Sequence, residues 1–151
     1  MNCRQILQSI LAASGFALLS MPANAGKDPV FTGLVSGVGA GGYDVVAYFS
    51  GQSAPGNAEI TTEWNAATWR FVNGANKAAF DAAPAKYAPQ FGGYCAYAVA
   101  KGYTAKGDPE AWSVADGKLY LNYSKGVRTE WQKDVPGNIT AGNANWPKVL
   151  E

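Results

Sequence analysis

Past the apolar N-terminal stretch that carries Cys3, one thiol, a few phenols and one well-placed carboxylate are the groups that could do chemistry. Cys95 stands within KYAPQFGGYCAYAVAKGYTAKGDPEAW, Lys86 to Trp112. Gly92 and Gly93 just ahead of it reach positive φ at little steric cost, so a helix can start at Tyr94, run to Lys101 and stop at Gly102. Cys95 would then lie in the first turn, where unpaired N–H groups and the positive end of the helix favour a thiolate. Used in this way it is a redox thiol or a soft-metal ligand. Left unused it is a small buried hydrophobe, as free cysteine often is.

A single thiolate needs further donors to hold a metal. Asp44 joins Cys95 as the candidate metal pair, with Asp108, Glu110 and the phenols of Tyr43, Tyr94 and Tyr97 as the remaining oxygen donors. Copper is the soft ion that suits such a set best, although Met1 and Met21 both fall in the leader and leave no thioether to help. Capping a short helical turn is the ordinary role for Asp44. Tyr43, Tyr94, Tyr97 and Tyr103 form the candidate ligand pocket, since phenols at the edge of an apolar cleft can orient a small molecule. The glycines around Cys95 do not follow a strand-to-helix phosphate pattern, so no nucleotide is expected.

What is missing narrows the chemistry. The 151 residues include no histidine, which removes Ser-His-Asp and Cys-His catalysis and every His-containing zinc site. Residues 1–25 read as a signal peptide: Arg4 is a short basic start, Ile6 to Leu19 is largely apolar, and Ala23-Asn24-Ala25 fits cleavage after Ala25. Cys3 leaves with that segment, so no stable membrane anchor is expected after cleavage and the protein is periplasmic or secreted. Cys95 then has no partner for an intramolecular disulfide, and an oxidised form would need an external thiol partner protein. The whole chain has 12 basic and 11 acidic residues. Loss of Arg4 balances them, and with no basic stripe nucleic acid is not an expected partner.

Residues 26–151 read as a single α+β domain: two antiparallel β-hairpins forming a small sheet, with short helices packed on it. Alternation of Ile60, Thr62 and Trp64 with Glu59, Thr61 and Glu63, then of Trp69 and Phe71 about Arg70, predicts one hairpin turning near Asn65 to Ala67. Asp116-Gly117 marks the second, with Val114 opposite Leu119, Trp112 opposite Leu121, and Ser113 sharing the other face with Tyr120. Asn73 caps a helix from Ala75 to Ala83 that turns Phe80 inward. Ser124 caps another carrying Val127, Trp131 and Val135, which Pro136-Gly137 ends. Asn138 to Leu150 packs back as a helical tail. No internal repeat or low-complexity tract is visible.

Three stretches carry a resemblance: GGYDVVAYF at Gly41 to Phe49, EWNAATWRFVNGANKAAFDAAPAKYAPQFGGYCAYAVAKGYTAKGDPEAW at Glu63 to Trp112, and DGKLYLNYS at Asp116 to Ser124. With the PGNI and NWPK segments near the end, they resemble the secreted YHS-domain-containing proteins, a family with selenocysteine-bearing members. The resemblance implies a YHS-type module, and thiol or selenol redox chemistry or soft-metal ligation at Cys95. The wider group's metal-associated modules have cysteines where this chain has Val72, Asn76 and Phe31, so the resemblance carries over a scaffold without those thiolates. Binding rather than turnover is therefore the expected function, with a copper-like ion or a small ligand near Cys95. A thiol-redox protein and an interaction domain with inert Cys95 are the alternatives.

Overall fold

A computed structural model describes residues 26–151; the expected signal peptide, with Cys3, lies outside the described residues. Among these residues no helix is long and apolar enough to cross a membrane. The described residues open with a loop and a left-handed turn at Gly39–Gly42, then a 3-10 turn at Ala47–Ser50. They continue through β1 (Asn57–Trp64), β2 (Ala67–Phe71), α1 (Gly74–Ala82) and α2 (Pro84–Tyr87). A second left-handed turn at Gln90–Gly93 leads to α3 (Ala96–Ala100), β3 (Asp108–Ala115), β4 (Lys118–Asn122), α4 (Lys125–Gln132) and α5 (Val135–Asn145).

Each hairpin turns on two residues of positive φ, Asn65 and Ala66 in one and Asp116 and Gly117 in the other. Such turns have the twist that matches paired strands. The second register is as its sequence predicts, Trp112 opposite Leu121, Ser113 opposite Tyr120 and Val114 opposite Leu119. The α+β class holds. The hairpins, however, make two separate two-stranded sheets rather than a single small one. Part of the reason is that the outer edge of β2 is already taken: Thr68 N–H donates to Gly37 O at 2.9 Å, and Val38 bridges Thr68.

β4 is buried on both faces, so alternation alone misjudges it. Leu119 and Leu121 pack with Trp69, Phe71 and Phe80 in one core. Tyr120 turns the other way, into a second core with Phe91, Val99 and Trp131, while Val114 stays 39% exposed. Asn73 and Ser124 cap their helices by accepting the N–H groups of Asn76 and Val127, at 2.8 and 3.1 Å. Pro136 begins a helix rather than ending one. It lies in the first turn of α5, where its missing N–H is not needed, behind Asp134 as cap. Asn145 Nδ2 in turn donates to the carbonyls of Val99 and Ala100 at the end of α3.

The two hairpin-and-helix units repeat at a spacing of 51 residues, as Gly41-Gly42-Tyr43 and Gly92-Gly93-Tyr94, Gly51 and Gly102, and Gly56 and Gly107 show. The backbone keeps that spacing. Positive φ recurs at Ala40 and Phe91 (50° and 58°), at Asn65 and Asp116 (51° and 50°), and at Ala66 and Gly117 (60° and 73°). Hydrogen bonds do the same. Asp44 N–H donates to Ala54 O at 2.8 Å and Cys95 N–H to Ala105 O at 2.9 Å; Gln52 N–H donates to Ala47 O at 3.2 Å and Tyr103 N–H to Ala98 O at 3.1 Å. The capped helices follow, each with one fully buried aromatic, Phe80 against Trp69 and Trp131 against Tyr120. The expectation of no internal repeat is thus overturned.

If Phe80 and Trp131 are equivalent anchors, Phe80→Ala and Trp131→Ala should each lower stability by about 3–5 kcal/mol in urea unfolding. A near-neutral result for either one would break the equivalence.

Candidate functional site

Phe91, Gly92 and Gly93, all left-handed, reverse the chain just before Tyr94. A Cβ on Gly92 would run into the Pro29 carbonyl, so glycine is required there for close approach as well as for φ. Cys95 follows as the N-cap of α3, one residue outside the helix rather than in its first turn. Its Sγ accepts the Ala98 N–H at 3.5 Å, and the thiol donates to Asn122 Oδ1 at 3.6 Å. Asn122 Oδ1 also accepts the Tyr97 N–H at 3.0 Å, and Asn122 is 0% exposed. The other half of that amide, Nδ2, has no hydrogen-bond partner.

Cys95 is itself 1% exposed, yet it forms part of the wall of a cleft of about 310 Å³. The other walls are Tyr97, Ala98, Tyr103, Ala105, Tyr123 and Val127. Two lysines stand over the aromatic walls, Lys101 Nζ 5.0 Å from the Tyr97 ring centre and Lys106 Nζ 5.0 Å from that of Tyr123. The cleft is therefore aromatic and apolar with a cationic border. Tyr97 and Tyr103 are where the sequence places them, beside Cys95. Tyr123 and Val127 escape that reading, although they follow β4 at the positions of Val72 and Asn76 in the first half. The 51-residue spacing is the signal that could have found them.

Tyr43 and Tyr94, equivalent to each other across the repeat, do not line this pocket. What keeps Tyr94 out is its own packing: it donates its hydroxyl to Asp28 O at 2.9 Å and lies against Phe31 and Trp146. Tyr43 packs against the first core, beside Glu110. The pairing of Asp44 with Cys95 fails as well: Asp44 is the Cys95 counterpart and not its neighbour. The Asp44 carboxylate is 0% exposed and already engaged. Oδ1 accepts the N–H groups of Val46 and Ala47 at 2.9 and 3.3 Å. Oδ2 accepts Val72 N–H at 2.9 Å and Asn76 Nδ2 at 2.8 Å. Val72 N–H and the Asn76 side-chain amide thus serve a carboxylate.

Among the described residues no three His, Cys, Asp or Glu side chains gather as a metal group. A copper-like ion at Cys95 would have one thiolate and phenols, a donor set that does not fit a soft metal. Asp108 Oδ1 is bound by the Glu110 N–H, and Glu110 Oε2 by the Ser53 hydroxyl, so both carboxylates serve the β3 border.

Removing the acceptor of four inward N–H groups is expensive, so Asp44→Ala should cost about 2–4 kcal/mol in urea unfolding, each orphaned donor adding its own desolvation. It should leave the alkylation rate of folded Cys95 unchanged, whereas a shared metal site would couple the two.

Four phenols resist ionisation. Hydrogen bonding to Glu110, then burial, raises Tyr43; burial, then the Glu110 charge, pushes Tyr48 far up; burial, then a nearby aspartate, raises Tyr94 and Tyr120. Tyr48 also donates to Pro109 O at 2.8 Å. A raised folded-state value stabilises fully below the ordinary 10.0 and is lost as pH climbs above it. Stability should therefore fall on the alkaline side, and Tyr48→Phe should make that fall shallower in unfolding curves measured against pH. Comparison of the chain with family models, with curated proteins and with solved structures finds no match.

Proposed function

We propose that the chain is an exported YHS-type binding module that holds a small organic ligand in the Cys95 cleft. The observation that carries this reading is the cleft itself, about 310 Å³, walled by three phenols with a thiol among them. That volume lies at the lower end of the range for small-molecule sites, and the aromatic lining with a few polar groups is their usual composition. The ligand has a flat apolar body for Tyr97, Tyr103 and Tyr123 and an anionic edge for Lys101 and Lys106. A metal ion is the weaker form of the proposal, because Asp44 is engaged elsewhere and Cys95 is the one soft donor in the cleft. Exchange with a partner's thiol is weaker too. A protein thiolate must approach sulfur in line, and 1% exposure leaves it little room.

Benzoate and its uncharged analogue benzyl alcohol are suitable probes. Benzoate should slow alkylation of Cys95 by iodoacetamide severalfold and shift the amide resonances of Tyr97 and Tyr123, with benzyl alcohol weaker in both. Val127→Trp, which fills the cleft, should abolish the protection. Unchanged alkylation and unshifted resonances with both probes would remove the ligand reading.

A further inference from the structure

Another cleft, of about 280 Å³, draws its walls from both cores and shares no residue with the Cys95 cleft. Its rings are Trp64 and Trp69 from the first hairpin, Phe91 from the left-handed turn, and Trp146 just after α5. Trp64 and Trp146 are only partly buried, and each is held by packing: Trp64 lies edge-on to Phe80 with 5.9 Å between ring centres, and Trp146 lies 5.9 Å from Phe91 and 6.2 Å from Tyr94. Asn65 and Gln90 also stand on the wall, and no residue with a charged side chain does. Of the polar side chains there, Trp69 alone is hydrogen-bonded to a described residue, its indole N–H donating to Trp64 O at 2.9 Å. The indole N–H groups of Trp64 and Trp146 and the amides of Asn65 and Gln90 keep their bonding capacity. The repeated fold does not demand these side chains. At the 51-residue spacing Trp64, Gln90 and Phe91 answer to Ala115, Ala141 and Gly142, and the second hairpin pairs without a large ring at its end.

We propose that this cleft is a carbohydrate site that takes one neutral sugar ring. A wall without charge favours neither an anion nor a cation. A wholly apolar ligand would cover the free indole and amide groups without bonding them, which weakens binding. A pyranose meets both conditions. The C–H bonds on its face are polarised positive and suit the negative face of an aromatic ring, and the hydroxyls around its edge both donate and accept. The sugar lies on the indoles of Trp64 and Trp146, and its hydroxyls meet Asn65 and Gln90. A volume of about 280 Å³ falls just short of the usual range for drug-sized ligands, about 300–1,000 Å³, and suits a single ring. Because packing already holds the indoles, little side-chain freedom is lost on binding.

This inference stands apart from the ligand reading of the Cys95 cleft, since the two sites have no wall in common. The test titrates the folded chain with the methyl glycosides of glucose, galactose, mannose and N-acetylglucosamine, with cyclohexanol as an apolar ring and glucuronate as a charged one, and follows the indole N–H resonances of the five tryptophans. At least one glycoside should shift Trp64 and Trp146 to saturation at millimolar concentration while Trp112 stays in place, and cyclohexanol and glucuronate should be severalfold weaker. Gln90→Ala should weaken the glycoside severalfold and leave cyclohexanol unchanged, a difference that a loosened fold would not produce. Trp64→Ala should abolish the glycoside shift at Trp146. No shift with any of the glycosides, cyclohexanol or glucuronate binding as tightly as the best of them, or a glycoside indifferent to Gln90→Ala or to Trp64→Ala would each overturn the proposal.

Discussion

Backbone N–H groups that turn inward behind a left-handed reversal have to be met by an acceptor, and the structure is arranged around that need. Orphaned buried donors are rare because each forfeits its bond to water. In the first half the acceptor is the Asp44 carboxylate. It ties its own short turn to a segment distant in sequence, the stretch from the residue after β2 to the first turn of α1. In the second half the task is divided, with Cys95 Sγ taking one N–H and Asn122 Oδ1 the other. A strand-end amide, Asn122, stands at the position where the first half has Phe71, a core residue, and makes this possible.

The two halves are alike in backbone and unlike in what they bury, which gives the domain its shape. On β2 one face supplies Ala67, Trp69 and Phe71 to the first core, and the other shows Thr68 and Arg70. On β4 the counterparts of Thr68 and Arg70 are Leu119 and Leu121, which also pack into that first core. Tyr120, the counterpart of Trp69, meets Trp131 in the second. β4 is therefore the shared wall between the two cores. An apolar residue at every position from 119 to 121 is what a strand buried on both sides requires.

This also explains what was legible in the sequence. Local chemistry was: Asp116-Gly117 dictated the turn and register of its hairpin, and Asn73 and Ser124 announced their helices, because caps and tight turns depend on residues a few positions apart. Burial on both faces of β4 was not, since alternation presumes one wet face. Nor was the repeat. The residues identical in both halves are mainly those that the turns demand, such as Gly41 and Gly92, or Tyr43 and Tyr94. Core positions keep only a class of side chain, Phe80 against Trp131, or change class outright, Phe71 against Asn122. Of the candidate site, Cys95, Tyr97 and Tyr103 were within reach because they share one segment. Tyr123 and Val127 arrive from the far side of β4, and Tyr43 and Asp44 were drawn in as oxygen donors for a metal that one thiolate cannot hold, whereas the bonds of Asp44 all lie in the first half.

The cleft follows from the same divergence. Asp44 and Asn76 form a buried polar pair; their counterparts are Cys95 and Val127. Had only one member changed, a buried carboxylate or a buried amide would have lost its partner, at a cost of about 1–3 kcal/mol or more. Replacing both by less polar groups avoids that penalty, which is why the second half can tolerate the exchange. The second-half pair does not fill the space that the first-half pair fills: a thiol is smaller than a carboxylate, and valine is shorter than asparagine. Space opens where the polar pair would have met, and Tyr97, Tyr103 and Tyr123 close around it instead of packing through it. The result is a recess where the first half holds a buried carboxylate, with a sulfur atom at its wall.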